Sequence, residues 1–348
     1  MSKSKRRKSK GPPEGRGAVE MPGVPAKALE PRSHLPNTYE LLTATAINRI
    51  HKQPLAKYAT VLTPRTAVEV LSILRSPKFQ AKASGKLWAF RGQGDSRWGL
   101  QSSNERVMPG SRFRCDEVTE QTYLLSGFKR RAHHYTPDLP DKDDDLEWLA
   151  LMQHYGAPTR LLDCTTSPYV AAFFAVIGAE GNESSAVWAF YLPALRGHAY
   201  RTLRAEDPTF QLCNPSQPQN FTDLLISVPR ERRRNPLVFP VEPFRMNERL
   251  TIQQGLFLCP RTLRWGFETN LKVALIDAAS RPHLKGARLY KIVIPGSVRL
   301  DLLEELEKMN ISYATLFPGL DGFARSLRTS LQLLFHRWRD VRIPVDVV

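Results

Sequence analysis

The sequence predicts an α+β fold: one mixed domain whose central, largely antiparallel or split sheet is flanked by helices, behind a disordered basic N-terminal arm. Three observations carry this. Hydrophobic residues make up 42% of the chain, enough for a substantial core. Segments of helical period and segments of period two occur in mixed order, without the regular strand–helix alternation of a doubly wound sheet. Residues 1–36 are rich in Lys, Arg, Pro and Gly, show no apolar period, and cannot bury enough surface to offset chain entropy. The expected division is therefore an arm over 1–36 and a domain over 37–348.

Helices are expected first around Tyr39–His51, then after Thr63-Pro64. In the second, Thr63 caps, Pro64 fills the first turn, and Val68, Leu71 and Leu74 share a face. Lys86–Arg91 reads as a strand with Leu87, Ala89 and Arg91 on one side, Trp88 and Phe90 on the other, ended by Gly92. A helix over about Glu117–His134 leads to an acidic loop, Thr136–Asp145. Its aspartates stand just before the helix that begins at Leu146, where negative charge suits the helix dipole. Ser167 caps and Pro168 opens an amphipathic helix that Gly178 closes, and Ala186–Leu192 reads as a strand. Residues 197–247, rich in Pro and Arg, read as an irregular excursion. Strands are expected at Leu271–Ile276 and Leu289–Ile294, and helices at Val298–Lys308 and Leu320–Trp338. In the last helix Phe323, Leu327, Leu331, Leu334 and Trp338 line one face.

The formal net charge is +16. Seven bases against one acid in residues 1–16 account for +6 of it, leaving +10 elsewhere. Such a field attracts phosphates and nucleic acid without reading sequence. Residues 3–10 and the arginines within 230–234 (Arg230, Arg232, Arg233, Arg234) are the natural contacts for nucleic acid. Cys115, Cys164, Cys213 and Cys259 are scattered and form no CxxC pair, which argues against a zinc ribbon and for reduced thiols in a cytoplasmic protein. No apolar run reaches the roughly 20 residues of a membrane span.

Three polar segments sit in apolar surroundings. In Phe90-Arg91-Gly92-Gln93, Arg91 either grips a phosphate or carboxylate with its two-pronged guanidinium or forms an ion pair, with Asp163 the natural partner; Gly92 lets a backbone or ligand come close. In Gln153–Pro168, Arg160 and Asp163 bracket two leucines, and Thr165, Thr166 and Ser167 precede a helix N-terminus that can hold an anion, or that Ser167 merely caps. Asn247–Phe257 reads as a strand in which Gln253 and Gln254 line a polar cleft or complete a buried network. No metal spacing, nucleophile elbow or phosphate-binding P-loop occurs. A hydrolytic group of Asp163, His154 and Arg160 is a further reading.

Together these segments resemble the FRG domain family. The resemblance rests on Trp88-x-Phe90-Arg91-Gly92-Gln93, on Gln153-His154-Tyr155-Gly156-x-Pro158-Thr159-Arg160-Leu161-Leu162-Asp163, and on Arg249-x-x-x-Gln253-Gln254-Gly255. Cys164 departs from it, since members commonly carry tryptophan there. The family occurs largely in bacteria and phages, near mobile-element or defence genes, which implies a role in antiviral defence. More remotely, the order of segments is similar to that of arginine-serine-glutamate ADP-ribosyltransferases. That comparison implies a bound NAD or related nucleotide, with Arg91 holding its phosphate and Ser167 positioning the nicotinamide ribose; Gly92, Arg160, Asp163 and Thr166 are the further candidate cofactor contacts. Gln254 or Gln253 then stands at the catalytic glutamate position, where an amide lacks the negative charge. The resulting expectations are a nucleotide-binding module of that fold acting in bacterial or phage defence, with either weak ADP-ribosyl transfer or NAD cleavage or binding without turnover, or a non-enzymatic nucleic-acid binder.

Overall fold

The computed structural model describes residues 43–80, 87–107, 115–206, 235–243, 245–281, 284, 286 and 288–338. The expected arm over 1–36 and the arginines of 230–234 lie outside them.

In chain order the helices are α1 (Ala44–His51), α2 (Ala67–Leu74), α3 (Ser103–Arg106) and α4 (Ser126–Ala132), the last entered through a π-helical stretch over Thr119–Leu125. Then come α5 (Asp145–His154), α6 (Pro168–Ile177), α7 (Leu192–Glu206), α8 (Glu248–Ile252) and α9 (Gly266–Ala279). The series ends with α10 (Arg299–Lys308), α11 (Tyr313–Leu316) and α12 (Leu320–Trp338). The strands are β1 (Thr60–Leu62), β2 (Trp88–Gln93), β3 (Leu162–Thr165), β4 (Ser185–Tyr191), β5 (Val238–Val241), β6 (Gly255–Pro260) and β7 (Leu289–Ile294).

They form one mixed sheet in the order β1-β7-β4-β2-β3-β6-β5. β1 and β7 are parallel, and every other neighbouring pair is antiparallel. The α+β class with a largely antiparallel sheet is thus what the chain adopts. The junction between β2 and β3 is the narrow point: only Phe90 and Thr165 are in register, whereas β2 runs alongside β4 over six residues. The strands part beyond that pair, so the sheet is nearly split there.

Alternation along the strands decides what covers each face. Trp88, Phe90, Val187 and Ile292 pack with Leu71, Phe173 and Leu302 of α2, α6 and α10. Beyond the split, on the same side, Phe257 and Cys259 pack with Trp148 and Leu149 of α5. On the opposite side one cluster spans both halves, where Ala89, Trp188, Leu256 and Leu258 meet Phe267 and Leu271 of α9. One face is therefore continuously covered. The other is covered in two parts, and the space between them opens over the split.

Local signals explain most boundaries. Asp144 caps α5 by accepting from the Glu147 amide, and Ser167 caps α6 by accepting from the Val170 amide, as expected. Four expectations are corrected. Thr66, not Thr63, caps α2, which turns Val68 outward at 75% exposure and buries Val70 instead. Residues 192–206 form α7 and 238–241 form β5, so the supposed excursion over 197–247 is regular at both ends. Leu271–Ile276 lies in α9, a helix buried on nearly all sides. Asn247 caps α8 by accepting from Leu250, so Arg249–Ile252 is helical, and β6 begins only at Gly255 after Gln254 turns through φ 49°.

Candidate functional site

A cleft of about 830 Å³ opens over the split and draws on β2, β3, β6, α3, α5, α6 and α8. Arg91 projects from β2 into the gap. Its Nη1 donates to the Asp163 main-chain carbonyl at 2.7 Å and stands 3.9 Å from Asp163 Oδ2, while Nε is buried with no hydrogen-bond partner among the described residues. The guanidinium thus spans the place where backbone pairing stops, with part of its donor capacity unused.

Arg106 and Arg249 converge on the same space. Arg106 is held by α3, whose N-terminus is a capping box between Ser102 and Glu105. Burial, then the neighbouring charge of Arg91, push its guanidinium below the ordinary value, and Asp163 opposes them. Arg249 lies on α8 with its guanidinium carbon 4.5 Å from the centre of the Phe317 ring. Burial pushes it down as well, against the pull of Asp163. His154, at the end of α5, is pushed down by burial and then by Arg249, which favours the neutral imidazole.

Asp163 is the one carboxylate lining the cleft among the described residues. Gln153 fixes it. The Gln153 Oε1 accepts from Ser103 Oγ at 3.0 Å and Thr159 Oγ1 at 2.5 Å, so its Nε2 must face the other way, where it donates to Asp163 Oδ2 at 2.8 Å. Trp98, 56% exposed, stands at the rim.

The remaining expected residues divide. Gly92 borders the cleft, but an added Cβ would meet Ala171 O at 2.1 Å and Ala175 N at 2.5 Å. Its close approach is to the backbone of α6, not to a ligand. Gln253 reaches the cleft, yet its Nε2 donates to Leu316 O at 3.0 Å. Of Thr165, Thr166 and Ser167 it is Thr165 that lines the cleft, and its hydroxyl donates to Gln253 O at 2.7 Å and accepts from the Ser167 amide at 3.0 Å. Thr166 instead borders Gln254, with its amide 2.9 Å from the Gln254 carbonyl, and Ser167 is buried as the α6 cap. Arg160 is 1% exposed and paired with Glu120, also buried, so it holds no ligand in this cleft and leaves the suggested group with Asp163 and His154. Burial opposes its charge, and Glu120 outweighs burial. Sequence reading missed the convergence of Arg106 and Arg249 and the positioning role of Gln153. The available signal was Arg249 and Gln153 inside the quoted motifs; Arg106 carried none.

Fold and cleft define an α+β protein with an arginine-rich pocket at a break in a mixed sheet. Residues 86–184 match the FRG domain, so the chain carries an FRG domain over that stretch. The match spans Phe90-Arg91-Gly92 and the Gln153–Asp163 block, so it contributes two walls of the cleft. No curated protein and no solved structure matches the chain.

Proposed function

We propose that the cleft binds a phosphate-bearing nucleotide, of which NAD or ADP-ribose is the best-fitting class, and that it holds this ligand without turning it over. The observation that carries the reading is the convergence of Arg91, Arg106 and Arg249 on a space with one carboxylate. Three cations, Arg91 and Arg249 half-buried and Arg106 exposed, facing one anion leave a net positive pocket, which an anionic ligand would neutralise. The volume lies in the usual range for small-molecule sites. Trp98 offers a face for a base, and Asp163 offers an oriented acceptor for a ribose hydroxyl. The order Arg strand, Thr strand, Gln-bearing turn resembles the transferase arrangement, and β2, β3 and β6 are neighbours. But Gln253 brings no negative charge and its amide is engaged by Leu316, so the reading is one of binding. The family's association with defence genes suits a ligand-sensing role in bacterial or phage defence.

Titration calorimetry with NAD, ADP-ribose and pyrophosphate tests it. Arg91→Ala should weaken binding roughly 10- to 100-fold, the worth of a hydrogen bond to a charged group. Absence of binding by all three ligands refutes the reading, and release of nicotinamide from NAD refutes its second half.

A second reading, nucleic-acid binding, is favoured by Arg325, Arg328 and Arg299, which line depressions adjoining the cleft. It requires retention of a single-stranded oligonucleotide that falls steeply with salt.

A further inference from the structure

The final helix, α12, is attached to the domain by the wrong side for an ordinary amphipathic helix. Its two buried residues are Gly322 and Leu333. Gly322 lies so close to Phe317 that a Cβ would meet the Phe317 carbonyl at 1.8 Å. Polar groups complete the attachment: His336 meets Asp301 at 2.8 Å, Arg337 meets Glu304 at 3.1 Å, and Arg299 donates to Gln332 at 3.2 Å. At 100° per residue the apolar side chains lie on the opposite side of the helix. Leu320, Phe323, Leu327, Leu331, Leu334, Phe335 and Trp338 are all 38–82% exposed.

We propose that this face is a dimer interface, in which α12 packs against α12 of a second copy as an antiparallel helix pair. Three arguments select that occupant. The first is area. From those exposures the seven side chains leave on the order of 800 Å² accessible, about what each partner contributes to a stable interface and more than the largest apolar patch of a typical monomer.

The second is period. Leu320, Leu327 and Leu334 recur every seven residues, as do Leu331 and Trp338. A seven-residue repeat keeps one seam facing a partner helix and suits knobs-into-holes packing. The face meets its own copy under two-fold symmetry, and an antiparallel pair also opposes the helix dipoles.

The third is charge. Recognition of an anionic membrane or acidic partner would need free cations beside the stripe. Arg337 and His336 instead reach to α10, and Arg325 and Arg328, though exposed, line a depression beside Ile177 and Arg299 and not the stripe itself. The stripe is left apolar and uncharged, as a self-complementary seam requires.

The test is the solution mass of the full chain by light scattering or sedimentation across a concentration series. The chain is 39.5 kDa, and a twofold mass is expected. Leu327→Asp with Leu331→Asp should halve that mass while far-UV circular dichroism is unchanged, because both side chains are more than half exposed and outside the buried core. Leu327→Gln with Leu331→Gln, a milder pair, gives the same readout should the aspartates disturb the helix. A wild-type mass of one chain throughout overturns the proposal, whether the stripe is then covered by the chain's own terminal segments or by anionic vesicles. A dimer that survives both pairs of substitutions overturns it too.

Discussion

His154 occupies a position where its protonation alters the cleft directly. Burial and Arg249 hold its pKa below the ordinary value of about 6.5, so at neutral pH the ring is uncharged. Acidification through the depressed value adds a cation to a pocket already lined by Arg91, Arg106 and Arg249. Affinity for an anionic nucleotide should therefore rise as pH falls below the ordinary histidine range, and His154→Gln should remove that rise. Calorimetry over a pH series measures it; a flat profile in the native protein rejects the proposed electrostatic control. How far the site could be read in advance follows from the same neighbourhood. Arg91 and Asp163 were legible because each is a charge amid apolar residues and needs a partner. Arg160 presents the same local pattern, but its partner Glu120 stands 40 positions earlier, and no spacing rule connects them. Gln253 and Gln254 were misplaced because the alternation of Leu250, Ile252 and Gln254 fits a strand as well as a single helical turn. The Asn247 cap was the signal that decided it.

At the scale of elements, capping residues were the most dependable guide. Asp144 accepts from the Glu147 amide at 2.9 Å, satisfying an N–H that has no intrahelical partner. Asp144→Ala should cost about 1 kcal/mol, read as a lower denaturant midpoint at unchanged slope. The helix matters to the site because Gln153 and His154 are at its far end, so fraying at the start need not disturb the cleft. Ligand affinity is expected to hold within about twofold in that variant, against a much larger loss for Gln153→Leu, which unties Asp163. Where caps were absent or periods degenerate, sequence reading failed. α9 is buried almost all round, so it lacks a polar face from which a helical period could be read. The β-branched residues in Leu271–Ile276 then mimic a strand. α7 was obscured by Pro193 and Gly197 near its start, both of which usually signal irregular chain. In α12 the residues expected to share one face do so, and pattern alone does not say whether that face meets its own domain.

At the scale of the molecule, a sheet nearly split between β2 and β3 depends on its continuous face for cohesion. That face is covered by α9, and α9 is tied to α7 by Asp277. Its carboxylate takes His198 at 3.3 Å, Arg281 at 3.2 Å and Arg201 more closely, with side-chain exposure of 10%. Burial opposes ionisation, but the hydrogen bonds and charges of His198 and Arg201 outweigh it, so Asp277 titrates far below the usual carboxylate range. A group whose folded pKa is depressed contributes stability that is complete above its unfolded value, about 3.9, and is lost as pH falls toward the folded one. Urea midpoints should therefore be level through neutral pH and drop as pH goes below about 4. Asp277→Asn should lower the neutral midpoint by an amount equivalent to about 3 kcal/mol, because it leaves the cations around it unpaired. It should also flatten the acid limb. Because Asp277 is not among the residues that line the cleft, ligand binding should survive in the fraction that remains folded. A variant that kept its full acid sensitivity would place the acid-labile charge elsewhere than between α7 and α9.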